Sequence, residues 1–169
     1  MNNEALYGNY YSLMYSNIDD LCYFNRDMGS NLLQYHRHTA GTSQVYDIWV
    51  ELYQGIRNAN AFMDAVVKTK FDEDGAYYNE ARFLRAYYHF LLAQAWGDVP
   101  LRKEAVTTHD QVMIAVTPQY DVLSWVASEM EDCIELASES LEDTPSRIAK
   151  TTVHGILARV YLFMAGESV

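Results

Sequence analysis

The chain has 169 residues, of which half are apolar and 14% aromatic, a composition that supports a hydrophobic core and excludes a disordered chain. Its formal net charge of -11 argues against binding to nucleic acid or to an anionic lipid surface, because both need clustered Lys and Arg. Only three Pro and eight Gly interrupt it, which favours long helices over many short strands.

The N-terminus and the two cysteines bear on export. Met1 leads into Asn-Asn-Glu rather than into basic residues and an apolar run, so we expect no signal peptide in this chain. No apolar stretch approaches the roughly 20 residues that span a bilayer, and Cys22 lacks the small preceding residues of a lipid-attachment site. A disulfide between Cys22 and Cys133 stays open, but Cys133 falls on the apolar face of a predicted helix, which favours a small buried hydrophobe.

The first part of the chain is predicted to be a helix followed by a long loop. Apolar residues recur at helical spacing over 4–17. Residues 16–46 mix Asp, Asn, Gly, Ser and Thr with aromatics and are predicted to be a long loop. Loops of this length are uncommon in compact domains and often carry function.

Residues 47–96 are predicted to form a first helix pair. The apolar stripe of residues 47–68 predicts one helix, and residues 76–96 predict a second that is apolar on two faces and therefore packed between neighbours. The acidic turn between them is predicted to cap the second helix. Gly97 is expected to be its left-handed C-cap.

Residues 117–165 are predicted to form a second helix pair. Thr117 is the expected N-cap and Pro118 the first helical residue. Glu129 and its acidic neighbours are expected on the solvated side, and the last helix is predicted at 149–165.

The two pairs are weakly similar in sequence at an offset of 72 residues, close to the roughly 68 residues of two TPR units. The aligned residues are Ala86 with Ala158, Phe90 with Leu162, and Ala93 with Ala165. The predicted fold is therefore all-α, with antiparallel helix pairs in a TPR-like right-handed solenoid that carries long loops.

Four segments in order resemble the N-terminal part of SusD/RagB proteins. The main one is EARFLRAYYHF at 80–90 followed by WGDVPL at 96–101. The others are the pattern from Trp49 to Asn60, the Thr117-Pro118 helix ending in Ile-Glu-Leu, and the segment from Ala149 to Leu162. The chain is thus identified as one SusD-like N-terminal helical domain over 1–169, a fragment of a longer protein.

The resemblance implies an exported protein tethered by lipid to the outer-membrane surface, beside a SusC-like TonB-dependent transporter. It implies binding of an oligosaccharide or another nutrient such as a peptide, without catalysis or cofactor. The lipidated cysteine and the larger C-terminal half that completes the family's ligand surface are not in this sequence. The alternative function is a TPR-type scaffold for protein contact with no small-molecule ligand.

The second helix of the first pair and its end carry residues of the family signature, and we expect their role to be structural. Half-buried arginines in an apolar helix need partners, and Glu80, Asp64 and Asp98 are the acidic candidates. A bridge between helices is favoured over ligand binding. The signature residues are Arg82, Arg85, Trp96, Gly97, Asp98 and Pro100.

Residues 19–46 of the long loop are the preferred ligand-binding region. Sugars present apolar C–H faces and rings of hydroxyls, so a site needs flat aromatics beside planar polar side chains. The alternative is that these aromatics pack the loop onto the scaffold. The predicted ligand-binding residues are Tyr23, Asp27, Asn31, Tyr35, Arg37 and Tyr46.

Neither a metal site nor an active site is predicted. His36 and His38 form a His-x-His pair, but no nearby ligands complete a zinc site, which favours an ordinary polar loop. There is no glycine-rich phosphate loop and no nucleophile elbow. An enzyme would need a nucleophile or an acid–base pair that the sequence does not present.

Overall fold

The computed structural model describes residues 4–8, 11, 32–33, 36–137, 139 and 147–167, and these residues form an all-α fold. Its α-helices are α1 (Ser43–Val66), α2 (Ala76–Trp96), α3 (Gln119–Ile134) and α4 (Lys150–Glu167). A π-helical turn at Glu4–Gly8 and a 3-10 turn at His109–Gln111 are further helical elements of the described residues. The chain divides into two compact units, Met1–Gln54 and Gly55–Val169, so α1 contributes to both.

The predicted first helix at 4–17 is described only in part. The π-helical turn Glu4–Gly8 is broken at Leu6, whose φ of -102° and ψ of -124° are not helical. Most of that helix, and most of the loop at 16–46, lie outside the described residues.

Helix α1 begins at Ser43, so the predicted start at residue 47 was wrong. The carbonyl of Thr42 accepts the first helical hydrogen bond, from the backbone N–H of Tyr46 at 3.0 Å. The Thr42 hydroxyl accepts the backbone N–H of Thr39 at 3.0 Å and ties down the preceding turn. Val45 and Ile48 extend the buried stripe of the helix, so the helix starts where its apolar face starts.

Helix α2 has the predicted bounds, and acidic side chains cap its start. Asp72 accepts the backbone N–H groups of Tyr77 and Tyr78, at 3.0 and 2.6 Å, and Asp74 accepts that of Ala76 at 3.2 Å. These carboxylates satisfy N–H groups that have no partner within the helix. The predicted burial on two faces is confirmed by the wholly buried residues Ala86, His89, Phe90, Leu91, Leu92 and Ala93.

Helix α2 runs antiparallel to its neighbours in the unit Gly55–Val169. In α1, Gly55 meets the Tyr88 ring, and Asn60, further along, hydrogen-bonds Arg85. A Cβ at Gly55 would lie 2.7 Å from Tyr88 Cε2, so only glycine allows this approach.

Against α3, the start of α2 meets its end and the end of α2 meets its start. Asn79 donates to the Cys133 carbonyl at 2.9 Å, and Gln119 donates to the Ala93 carbonyl at 2.9 Å. The Cys133 side chain is wholly buried as a free thiol, and burial raises its pKa to about 12. It is the small buried hydrophobe expected there, while Cys22 lies outside the described residues.

Helix α4 starts one residue after the predicted start and closes the bundle. Val153, Leu157 and Val160 form its buried face. It packs on α3 and reaches α2, where Phe163 meets Phe90 edge-on at 6.1 Å between ring centroids. Within the described ranges, none of the helices combines the length and the apolar character needed to cross a membrane.

Candidate functional site

The predicted loop site is represented by two described residues. Arg37 is exposed, and its backbone N–H donates to the Leu32 carbonyl at 2.8 Å. Tyr46 lies in the first turn of α1 with 61% of its surface exposed. Tyr23, Asp27, Asn31 and Tyr35 lie outside the described residues, so the grouping of all six stays a prediction.

The signature segment at the end of α2 turns the chain sharply. Gly97 donates its backbone N–H to the Ala93 carbonyl at 3.0 Å and closes the last turn of the helix. Its φ of 73° is positive as expected, but its ψ of -117° places it outside the left-handed helical cap that was predicted. Such a conformation is essentially restricted to glycine, so the chain leaves α2 in a direction that no other residue allows cheaply.

The residues after Gly97 fasten the end of α2 to the start of α3. Val99 and Thr117 exchange two backbone hydrogen bonds, of 3.2 and 2.9 Å, and Val99 is wholly buried. Asp98 accepts the backbone N–H of Gln119, the first residue of α3, at 2.9 Å.

This arrangement corrects the predicted start of α3. Pro118, with φ of -52° and ψ of 140°, is the N-cap and makes no capping bond through its side chain. Thr117 is therefore not the cap. The capping carboxylate comes from Asp98, 21 residues earlier, and local sequence rules do not register a cap supplied from another element.

Arg82 and Arg85 converge on one carboxylate of α3. Arg82 makes a bidentate contact with Glu129, at 2.9 Å for each bond, and also contacts Asp132 at 2.6 Å. Arg85 reaches Glu129 at 2.5 Å. The predicted acidic partners Glu80, Asp64 and Asp98 were wrong, and so was the placement of Glu129 on the solvated side.

The charges in this cluster shift each other's protonation. Burial alone would raise the pKa of Glu129, but hydrogen bonds from Arg82 and Arg85 outweigh it and lower that pKa. The hydrogen bond to Glu129 is also the largest cause of the raised pKa of Arg82. Arg82 and Glu129 therefore stay ionised near neutral pH, and the cluster ties α2 to α3.

Arg85 also ties α2 to α1 and to the segment after α2. It donates to the Asn60 side-chain oxygen at 3.0 Å and to the Lys103 carbonyl. Asn60 in turn donates to the carbonyls of Arg102 and Glu104, at 3.3 and 3.0 Å. Arg85, Asn60, Lys103 and Glu104 line a cleft of about 300 Å³. The hydrogen bonds that these residues make join parts of the fold to each other, so their role is structural.

His89 completes this buried polar cluster, and sequence reasoning did not predict its role. Its Nδ1 donates to the Arg85 carbonyl at 2.9 Å, and its Nε2 accepts the backbone N–H of Arg102 at 3.1 Å. One donor and one acceptor define a neutral ring. Burial lowers the pKa of His89 to about 4. The available signal was its position four residues after Arg85 on the same helix face.

Among the residues that the structure describes, no group of three or more His, Cys, Asp or Glu side chains is placed to hold a metal ion. His36 and His38 are both exposed. His36 has a positive φ of 52°, and its backbone N–H donates to the Leu33 carbonyl at 3.1 Å, which is the geometry of a tight turn.

The described helices form an all-α protein with a Trp-Gly-Asp-Val-Pro junction between its two helix pairs. The family of SusD-like proteins, described as starch-binding and associating with the outer membrane, matches residues 2–162. The chain belongs to this family.

Individual SusD-like proteins are also similar to the chain. A SusD-like protein of Formosa agariphila is 27% identical over 122 residues, which is 70% of this chain and 23% of the relative. The solved SusD homologue of Bacteroides thetaiotaomicron superposes with a TM-score of 0.81 at 20% identity, over 95% of this chain and 33% of its own. A SusD-like carbohydrate-binding protein of Bacteroides fragilis superposes with a TM-score of 0.67 at 24% identity, over 73% of this chain and 25% of its own.

These likenesses confirm the predicted family and the helical, TPR-like fold. The chain spans a quarter to a third of the length of these relatives.

Proposed function

We propose that the chain is the scaffold part of a non-catalytic oligosaccharide-binding component of a SusC/SusD-type outer-membrane uptake system. The observation that carries this proposal is the family match over residues 2–162. The ion pairs and hydrogen bonds that join α2 to α3 support it, because a binding component needs a fixed frame on which loops present the ligand contacts.

The proposed ligand contacts are Arg37 and Tyr46, with Tyr23, Asp27, Asn31 and Tyr35 of the same loop. Both described members of this set are exposed and available to a ligand. A neutral glycan suits the chain better than an anionic one, because a net charge of -11 repels anions. One solved SusD-like protein is described as laminarin-binding, and another relative was solved with a xylogluco-oligosaccharide.

The proposed partner is a SusC-like TonB-dependent transporter, and the proposed location is the cell surface, where a lipid anchor on the full-length protein would hold it. The family description, which places its members at the outer membrane, supports the location. Co-purification of the full-length protein with a large outer-membrane barrel tests the partner and the location. Recovery of the full-length protein from outer membranes without any barrel would contradict the partnership.

Affinity electrophoresis in gels containing starch, laminarin or xyloglucan tests the binding function. We expect retardation of the full-length protein by at least one polysaccharide, and weaker retardation of Tyr46→Ala. Tyr120→Ala is the matched control, because Tyr120 is 63% exposed but lies at the start of α3. If none of the polysaccharides retarded the protein, the proposed oligosaccharide binding would be contradicted.

A scaffold for protein contact alone is the second candidate function. One observation favours it: consecutive residues after the 3-10 turn expose apolar side chains, with Met113 86% and Val116 59% exposed. Exposed apolar segments of this kind often mark protein contacts. Loss of a co-purifying protein in Met113→Glu, with polysaccharide binding absent from the parent, would favour this function.

A further inference from the structure

An exposed pair of aromatic rings lies at the turn between α1 and α2. Phe71 is 69% exposed and Tyr77 is 39% exposed. Their ring centroids are 5.3 Å apart, with 33° between the ring planes. A side chain as exposed as Phe71 contributes little to the core, so the stability of the fold does not explain its presence.

The turn that presents these rings is held by side-chain hydrogen bonds. Thr69 donates its hydroxyl to the Val66 carbonyl at 2.9 Å and accepts the backbone N–H of Phe71 at 3.3 Å. The Asp72 carboxylate holds the backbone of Tyr77 and Tyr78. A surface fixed in this way loses little conformational entropy when it binds a ligand.

Charged groups lie beside the aromatic pair. The Arg147 guanidinium lies over one face of the Tyr77 ring, 4.1 Å from the ring centroid, so the exposed Phe71 ring is the larger free aromatic surface. Arg147 donates from Nε to Glu80 Oε1 at 2.6 Å, and the backbone N–H of Ile148 donates to the same oxygen at 3.2 Å. Beside them is an open cavity of about 90 Å³, lined in part by Glu80 and Arg147.

This combination matches the chemistry of a pyranose ring. A sugar ring offers an apolar C–H face to an aromatic surface, and its hydroxyls hydrogen-bond both donors and acceptors at the edge of that surface. A guanidinium supplies the donors and a carboxylate held beside it supplies the acceptors. The cavity is large enough for one hydroxymethyl group, but not for a whole sugar ring.

We propose that Phe71 and Tyr77, with Glu80 and Arg147 beside them, form a surface site that stacks one pyranose ring of a neutral glycan on the Phe71 ring. The proposal rests on the proposed oligosaccharide-binding function, and it uses none of the loop residues to which that function was assigned. The site is therefore separate from the loop site in the residues that form it.

Titration of the full-length protein with starch, laminarin and xyloglucan tests the site. Phe71→Ala is expected to weaken binding of the preferred glycan by about fivefold to tenfold, in line with the energy of an aromatic stacking contact. Phe71→Trp is expected to retain the affinity. Tyr120→Ala is expected to leave it unchanged, and circular dichroism checks that each variant is folded.

The outcomes separate the two proposals. If Phe71→Ala binds as tightly as the wild type while Tyr46→Ala binds more weakly, the aromatic site is overturned and the loop site stands. If Phe71→Ala weakens binding and Tyr46→Ala does not, the aromatic site stands and the loop assignment fails. If the wild type binds none of the three polysaccharides, both the proposed function and this site are overturned.

Discussion

Arg82 and Arg85 share one carboxylate, that of Glu129. We expect Glu129→Ala to lower the free energy of unfolding by about 3 kcal/mol, because it leaves two half-buried guanidinium groups without their main counter-ion. Asp132, whose side chain is 57% exposed, is the control, and Asp132→Ala is expected to cost less than about 1 kcal/mol. Urea denaturation measures both. Equal losses would show that Glu129 is not the centre of the cluster.

The buried neutral His89 makes stability depend on pH. Its pKa is about 4 in the folded chain and near 6.5 when unfolded. Between these values only the unfolded chain binds the proton, so the free energy of unfolding falls as the pH falls. We expect a loss of about 2 kcal/mol from pH 7 to pH 5.

Comparison with His89→Gln isolates this contribution. The variant is less stable at every pH, but its stability should change less between pH 7 and pH 5, a range above the titration of most carboxyl groups. Urea denaturation at each pH supplies the measurement. If the free energy of unfolding changed with pH by the same amount in both proteins, groups other than His89 would cause the pH dependence.

At the scale of elements, the cap that Asp98 supplies to α3 is a contact between two helix ends. We expect Asp98→Ala to destabilise the fold by about 1 kcal/mol, and Asp98→Asn to recover most of the loss, because the amide oxygen also caps. Thermal denaturation compares the three proteins. If Asn were as damaging as Ala, the charge of Asp98 rather than its hydrogen bond would be the important feature.

The approach of α1 to α2 depends on Gly55. We expect Gly55→Ala to destabilise the fold by about 1 to 3 kcal/mol, because the buried Tyr88 ring would have to move away from a new Cβ. The same change at Gly155 in α4 is the control, since a Cβ there meets nothing within 4 Å. Gly155→Ala is expected to stabilise by up to about 1 kcal/mol. If urea denaturation showed that Gly55→Ala and Gly155→Ala change the free energy of unfolding in the same direction, the steric argument would be refuted.

At the scale of the whole molecule, the net charge of -11 has a consequence for the proposed ligand. Binding of a neutral glycan involves no ion pair, so its affinity should be the same at about 0.05 and 0.5 M NaCl, whereas an anionic glycan should bind better at the higher salt. Calorimetric titration at the two concentrations distinguishes them. An affinity for laminarin or starch that falls steeply with salt would contradict a neutral, stacked mode of binding.

The sequence by itself determined the helices, their pairing order and the family. Apolar spacing, the acidic turn and Gly97 are local signals, and they place α2 at the observed residues because helix formation is decided within a few turns of chain. The start of α1 was missed because the Thr-Ala-Gly-Thr-Ser run at 39–43 is typical of a loop. The ligand contacts at Arg37 and Tyr46 stay predictions, because they depend on how a long loop is arranged.

Only the tertiary structure decided which groups meet. Glu129 lies 44 and 47 residues from its two arginines, and Asp98 lies 21 residues from the helix it caps. Periodicity shows which face of a helix is apolar, but it does not show which polar group of another helix comes within 3 Å. The Trp-Gly-Asp-Val-Pro segment identified the family from sequence alone. Packing revealed its role, because the hydrogen bonds that join α2 to α3 exist only once the two helices are side by side.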